Sequence, residues 1–109
     1  MPPQPQEVKH ELALRVAGIF RVLSDPARLR AVAALAEREM CVHELARHLG
    51  MSQPAVSHHL RILRDMQLVR YRRAGRHAFY RLDDEHVRRL LHEALTHASH
   101  QSQAEEMPA

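Results

Sequence analysis

The chain has 109 residues, 45% of them hydrophobic and 4% aromatic, with a net charge of +3, ten histidines and one cysteine. This length accommodates one domain with a modest core. The absence of an apolar run near 18 residues excludes a membrane-spanning helix, and a single cysteine excludes an intrachain disulfide framework. The opening MPPQPQEVKHE holds no apolar signal segment, so a reducing cytoplasm is the expected location.

Residues 1–8, rich in Pro and Gln, are expected to form a disordered tail. From Glu7 to about Leu23, Leu12, Val16, Ile19, Phe20 and Leu23 recur at helical spacing. Ser24-Asp25-Pro26 then stops one helix and starts another, with a capping side chain followed by Pro in the first turn. Leu29, Val32, Ala33 and Leu35 carry that second helix to about Arg38. A third helix is expected over Met40–Leu49, ended by Gly50. Ser52-Gln53-Pro54 opens a fourth, which runs to about Met66 with Val56, Leu60 and Leu63 inward.

Two short helices joined by a Gly-containing turn make a helix-turn-helix pattern. The outward side of the fourth helix would carry Gln53, Ser57, His58, Arg61 and Arg64, residue types suited to base edges and phosphates. The plainer reading is a helical hairpin with a polar face. The next segment weighs against it, because the period changes to two. Leu68–Arg72 and Ala78–Leu82 are β-prone runs around the turn Arg73-Ala74-Gly75-Arg76. An arginine-bearing hairpin after a helix-turn-helix reads as a wing, with Arg72, Arg73 and Arg76 reaching DNA. The charge distribution agrees. From His58 to Arg81 there are seven arginines against one aspartate, a net of +6 that leaves −3 for the remainder. Charge concentrated in this way suits double-stranded DNA as a partner, although a solvated basic face would give the same count.

The last helix is expected over Asp84–His100, with an apolar stripe of Val87, Leu90, Leu91, Ala94, Leu95 and Ala98. Asp84, His86, His97 and His100 lie beside that stripe. At about 100° per residue His86 and His97 fall within roughly 20° of each other, yet eleven residues place them roughly 16 Å apart along the axis. One metal ion with ligands at roughly 2 Å cannot span that gap. The helix therefore carries two half-sites, Asp84/His86 and His97/His100, which an antiparallel second copy would complete twice. Glu93 lies on the same side and His92 roughly opposite. Residues 101–109 are polar and expected to be flexible, leaving 9–100 as the domain.

The segments LSDPARLR (23–30), CVHELARHLGMSQPAVSHHLRILRDMQLV (41–69) and YRRAGRHAFYRL (71–82) resemble the ArsR/SmtB family of metal-responsive winged-helix repressors. The resemblance spans roughly residues 12–100. It implies a mainly α fold with a small β-hairpin, a winged helix-turn-helix, and a homodimer paired through its terminal helices. It further implies that the metal-free dimer binds operator DNA and that metal releases it. In the zinc- and cobalt-responsive branch the ligand pattern is D-x-H followed by H-x-x-(H/E), matched here by Asp84, His86, His97 and His100. The family also suggests an acceptor near Gln67 for a liganding histidine, coupling the metal to the reading helix.

One carboxylate and three imidazoles form a tetrahedral set suited to Zn(II) and tolerant of Co(II), with no open position for catalysis. The thiolate-sensing branch has C-V-C where this chain has Cys41-Val42-His43, and with one cysteine a thiolate site is disfavoured. Cys41 and Glu44, with His10, could otherwise belong to a second site, but a structural role for Cys41 is the favoured reading. A regulator whose metal is structural, or whose inducer is not a metal, is the alternative. A zinc hydrolase finds no nucleophile–base constellation to support it, and a protein-interaction module leaves the +6 segment unexplained.

Overall fold

A computed structural model of the chain describes residues 7–106, with side chains through residue 100. Within those residues the elements run α1 (His10–Leu23), α2 (Pro26–Glu37), β1 (Met40–Cys41), α3 (Val42–Leu49), α4 (Gln53–Asp65), β2 (Val69–Ala74), β3 (His77–Leu82) and α5 (Glu85–Glu106). The architecture is mainly helical with a small antiparallel sheet, a winged helix-turn-helix. Most of the expected N-terminal tail, residues 1–6, lies outside the described residues.

Local chemistry sets the helix boundaries. Asp25 caps α2, its Oδ1 accepting the N–H groups of Ala27 and Arg28 at 2.8 and 3.1 Å, with Pro26 next in the chain. Gly50 ends α3 in the left-handed region at φ +68°, where a side chain would be strained. Two residues on, Ser52 caps α4 by accepting the Ala55 N–H at 3.3 Å. The turn between α3 and α4 is thus held at both ends. The far end of α4 closes as a Schellman motif: Leu68 N–H donates to Leu63 O and Gln67 N–H to Arg64 O, both at 2.9 Å. Gln67 takes the left-handed position at φ +59°, where glycine is the usual occupant.

Apolar positions from every helix except α1's exposed side meet in one core. Val32 and Leu35 of α2, Leu45 of α3, Val56, Leu60 and Leu63 of α4, and Val69 of β2 are essentially inaccessible to solvent. Leu91 of α5 and Leu82 of β3 close it from the side.

Among the boundaries that differ from the sequence reading are those at the start of α3 and the end of α5. Met40 and Cys41 do not begin α3; they form β1, which pairs antiparallel with β3 (Met40↔Tyr80, Cys41↔Phe79) and makes the sheet three-stranded in the order β1-β3-β2. A two-residue strand is too short to show a period, so the helical pattern that follows absorbed it. Cys41 is instead the N-cap of α3 and forms a capping box with Glu44, donating its N–H to Glu44 Oε1 at 3.2 Å. Glu44 Oε2 accepts from Arg38 at 3.1 Å. Cys41 and Glu44 thereby have a structural task at the sheet–helix junction. The second difference is at α5, which continues past His100 to Glu106. Polar Gln101–Glu106 extends the helix because α-helical hydrogen bonding needs no apolar stripe to propagate.

Candidate nucleic-acid interface and metal-ligand helix

The outward face of α4 follows from its inward one. With Val56, Leu60 and Leu63 buried, helical periodicity turns Gln53, Ser57, His58, Arg61 and Arg64 to solvent, and all five are exposed. Arg64 is braced over the Tyr71 ring at 5.2 Å, and Tyr71 packs on Tyr80 at 5.4 Å. His59, half-buried on the other side, has Nδ1 3.4 Å from Arg28 Nη1, so it serves the α2–α4 junction. At the start of α4, Gln53 Nε2 lies 3.0 Å from Nδ1 of His43 on α3. These two residues line a cleft of about 360 Å³ together with Arg76 and His77 of the wing.

The wing is a hairpin of two six-residue strands paired from Val69↔Leu82 to Ala74↔His77. Its tip is the two-residue loop Gly75-Arg76, with Gly75 at φ +63° and Arg76 on the ordinary side, the pattern of a II′ turn. Arg73 and Arg76 are exposed at or beside the tip. Arg72, expected among the DNA contacts, is exposed and paired within the chain. Its guanidinium is forked on Glu39 through Nε (3.2 and 3.1 Å) and Nη2 (2.8 Å), and it covers the Phe79 ring at 5.1 Å. The shared hydrogen bonds hold the Glu39 carboxyl below its ordinary range and raise Arg72 above its own. Glu39 precedes β1, so the pair straps the wing to that strand. Sequence separation hid this link, since nothing local marks Glu39 as a partner of Arg72. Arg70 is likewise tied to Asp83, donating to its backbone oxygen at 2.7 Å.

Helix α5 presents all four candidate ligands on its surface. Asp84 is its capping residue: Oδ1 accepts the Val87 N–H at 3.0 Å. That backbone N–H is the largest influence keeping the Asp84 carboxyl below its ordinary range, with His86 adding to it. Oδ2 faces Nδ1 of His86 at 3.7 Å. One carboxylate oxygen thus fixes the helix start while the other stands beside an imidazole. His97 and His100, one turn apart and exposed, stand toward the other end. In a single chain, no three His, Cys, Asp or Glu side chains among the described residues come together in a way that could hold a metal ion. Met66 and Gln67, from the end of α4, share a groove of about 300 Å³ with Asp84 and His86.

The stripe on α5 is only half used within one chain. Leu91 is buried and Val87 packs on the core, while Ala94, Leu95 and Ala98 are exposed. Leu95 is 44% exposed; on α1, Leu14 and Phe20 reach 58% and 55%. Between them Phe20, Leu23, Leu29, Leu90 and Ala94 line an almost wholly apolar hollow of about 260 Å³. Arg88 anchors the other side of α5 by donating to the Ala36 carbonyl at the end of α2. No helix among the described residues is long and apolar enough to cross a membrane.

Residues 25–71, from the cap of α2 through α4 to the first half of β2, match the family described as bacterial regulatory protein, arsR family. Over 94 residues the chain is 47% identical to a transcriptional repressor SmtB homolog from Synechocystis, spanning 86% of this chain and 71% of that protein. Among solved structures, a homodimeric winged helix-turn-helix DNA-binding domain from Mycobacterium bovis superimposes with a TM-score of 0.80 at 31% identity, covering 91% of both chains. The AntR antimony-specific transcriptional repressor does so with a TM-score of 0.80 at 32% identity, covering 94% of this chain and 98% of that one. The comparisons agree with the helix-turn-helix and the wing: the chain belongs to the arsR family of bacterial regulatory proteins and is a transcriptional repressor.

Proposed function

We propose that two copies of the chain form a repressor that binds operator DNA when metal-free and leaves it when Zn(II), or Co(II), bridges the two copies of α5. The observation that carries this reading is the division of α5. Its first half is anchored in the chain's own core, and its second half exposes apolar side chains beside two histidines that lack the rest of a donor set. A second copy supplies both needs at once. It covers Ala94, Leu95 and Ala98, with Leu14 and Phe20 of α1 extending the apolar face, and brings His97 and His100 to the partner's Asp84/His86 pair. The homodimeric state of the Mycobacterium bovis domain supports the pairing.

Asp84, His86, His97 and His100 fit a four-coordinate metal in donor chemistry. Asp84 is kept ionised by the helix N–H it caps, and three neutral imidazoles complete an O/N set typical of zinc. The metal would supply a cross-link between chains. Gln67 and Met66 share the groove of Asp84 and His86, so the cross-link would fall beside the last turn of the reading helix. The description of AntR as antimony-specific supports an inorganic inducer for a fold of this kind. The DNA contacts in this reading are Gln53, Ser57, His58, Arg61 and Arg64 on α4 with Arg73 and Arg76 on the wing. Arg72 acts as a strut unless DNA displaces Glu39. The half-sites of the operator would lie about one helical turn apart.

The test is operator affinity with and without Zn(II) for wild type and His97→Ala. Zn(II) should weaken wild-type binding by roughly 5–150-fold, and DNA should weaken Zn(II) binding by the same factor, while His97→Ala responds to neither. Unchanged wild-type affinity on adding Zn(II) would refute the sensor assignment.

A further inference from the structure

We propose that His43 is a positioning residue for base recognition: it holds the Gln53 side-chain amide in the orientation in which that amide meets one base pair of each operator half-site. This rests on α4 being the DNA-reading helix and deepens that assignment.

Gln53 is the first residue of α4, and among the five outward residues of that helix it alone carries a planar donor–acceptor amide, the group that matches the N6/N7 edge of adenine in the major groove. A glutamine at the start of a helix turns about three side-chain bonds. Left free, it must be frozen at the moment of binding, which weakens the contact and blurs the preference for one base. Here it is tied beforehand. His43, the second residue of α3, places Nδ1 3.0 Å from Gln53 Nε2 across the helix-turn-helix. With Nδ1 unprotonated, the ring accepts one amide N–H and leaves the other N–H and Oε1 for DNA. With the amide turned over and Nδ1 protonated, Oε1 accepts and both N–H groups and the second lone pair of Oε1 remain. In either arrangement a donor and an acceptor stay available; the tautomer of His43 sets which way the amide points, and the contact holds it there.

The surroundings favour a positioning role. His43 and Gln53 line one cleft together with Arg76 and His77, so the amide sits where the reading helix and the wing converge. His43 itself stands on the helix behind α4. Its backbone is held in place: α3 begins directly after β1, which the wing strand β3 holds by main-chain pairing. The amide is therefore referenced to the rigid part of the motif.

The experiment selects a preferred duplex from a random-sequence pool with the metal-free full-length wild type. The affinity of that duplex and its single-base variants is then measured for wild type, His43→Ala, His43→Phe, His43→Gln, Gln53→Ala and the His43→Ala/Gln53→Ala pair. Gln53→Ala should abolish the preference at one base pair per half-site. His43→Ala and His43→Phe should reduce that same preference by about two- to tenfold, with His43→Gln retaining more of it. His43→Ala should add nothing when Gln53 is already absent, and the salt dependence should not change. Three results would overturn the role of His43: full preference retained in His43→Ala, a further loss in the double variant, or a uniform loss over all sequences with a salt slope smaller by about one, which marks a phosphate contact. A wild type that selects no sequence would instead overturn α4 as the reader, and His43 with it. His43 is exposed, so an unchanged unfolding midpoint should accompany each His43 variant.

Discussion

Gly18 lies in the middle of α1 and is buried, with the side chain of Met66 from the end of α4 beside it. A Cβ built on it would stand 3.1 Å from Met66 Cε and 3.6 Å from Met66 Sδ. Replacing Gly18 by Ala has opposing effects that the structure lets one weigh. Glycine in a helix interior costs about 0.8–1 kcal/mol relative to alanine, and the new methyl would bury surface worth up to about 0.8 kcal/mol. Against this, the tip of Met66 must move by a few tenths of an ångström. That tip is the end of an unbranched thioether on a partly buried residue, so the adjustment costs about 0.5 kcal/mol. The balance is a stabilisation of about 1 kcal/mol, or a midpoint raised by about 4–8 °C for a domain of this size. The assay is thermal unfolding of wild type and Gly18→Ala, followed by circular dichroism at one protein concentration with chelator present. In a Met66→Ala background the obstacle is gone together with the surface the methyl would bury against, so the gain from Gly18→Ala should be the helix-propensity difference of about 0.8–1 kcal/mol. A midpoint that stays or falls in Gly18→Ala, with no recovery in the Met66→Ala background, would refute the reasoning.

Leu14→Asp or Phe20→Asp alters a residue more than half exposed in one chain, so each should leave a folded monomer where sedimentation finds the wild type as a dimer; a dimeric variant would remove α1 from the interface. Asp84→Asn keeps a capping oxygen but loses the anionic ligand, whereas Asp84→Ala loses both. Tetrahedral Co(II) absorption should therefore weaken in both variants, and the metal-free midpoint should fall further in Asp84→Ala; equal midpoints would show that the cap contributes nothing. Because Arg72 is held by Glu39, Arg72→Ala should lower the salt dependence of DNA binding less than Arg73→Ala or Arg76→Ala does, and an equal or larger effect would place Arg72 on the phosphates. Asp25, Glu39, Glu44 and Asp84 all have carboxyls held below their ordinary values of 3.8 and 4.5. Folded values below unfolded ones mean their stabilisation is complete above about pH 4.5 and is lost as pH falls through the lower folded values. Urea midpoints that rise between pH 5 and pH 3 would contradict this.

Much of the fold could be read from periodicity and punctuation. Asp25-Pro26, Gly50 and Ser52-Gln53-Pro54 each mark a boundary through a local hydrogen bond or a local φ, so a single sequence window suffices to find them. The outward residues of α4 were equally legible, because burying Val56, Leu60 and Leu63 dictates which side faces water. The features that escaped are non-local. β1 exists only by pairing with a strand some forty positions later, and Arg72 meets Glu39 across 33 positions. The dual task of Asp84, cap with one oxygen and neighbour of His86 with the other, needed the helix start to be located first. The division of the α5 stripe into a buried and an exposed half could not be read at all, since helical spacing reports which residues share a face and not how far along the axis the core reaches.

The two-residue strand β1 has a consequence for how such a chain can change length. Connections between elements ordinarily tolerate insertion and deletion. The stretch from Arg38 to Val42 should not, although it is short and joins two helices. Adding one residue between Glu39 and Met40 would either turn the side chains of β1 to the opposite faces of the sheet or slide Cys41 out of its cap, and would draw Glu39 away from Arg72. Three unrelated fits depend on the same spacing. The hairpin tip at Gly75-Arg76 has no such burden, so length variation in homologous chains should accumulate at the tip of the wing and be rare at its root.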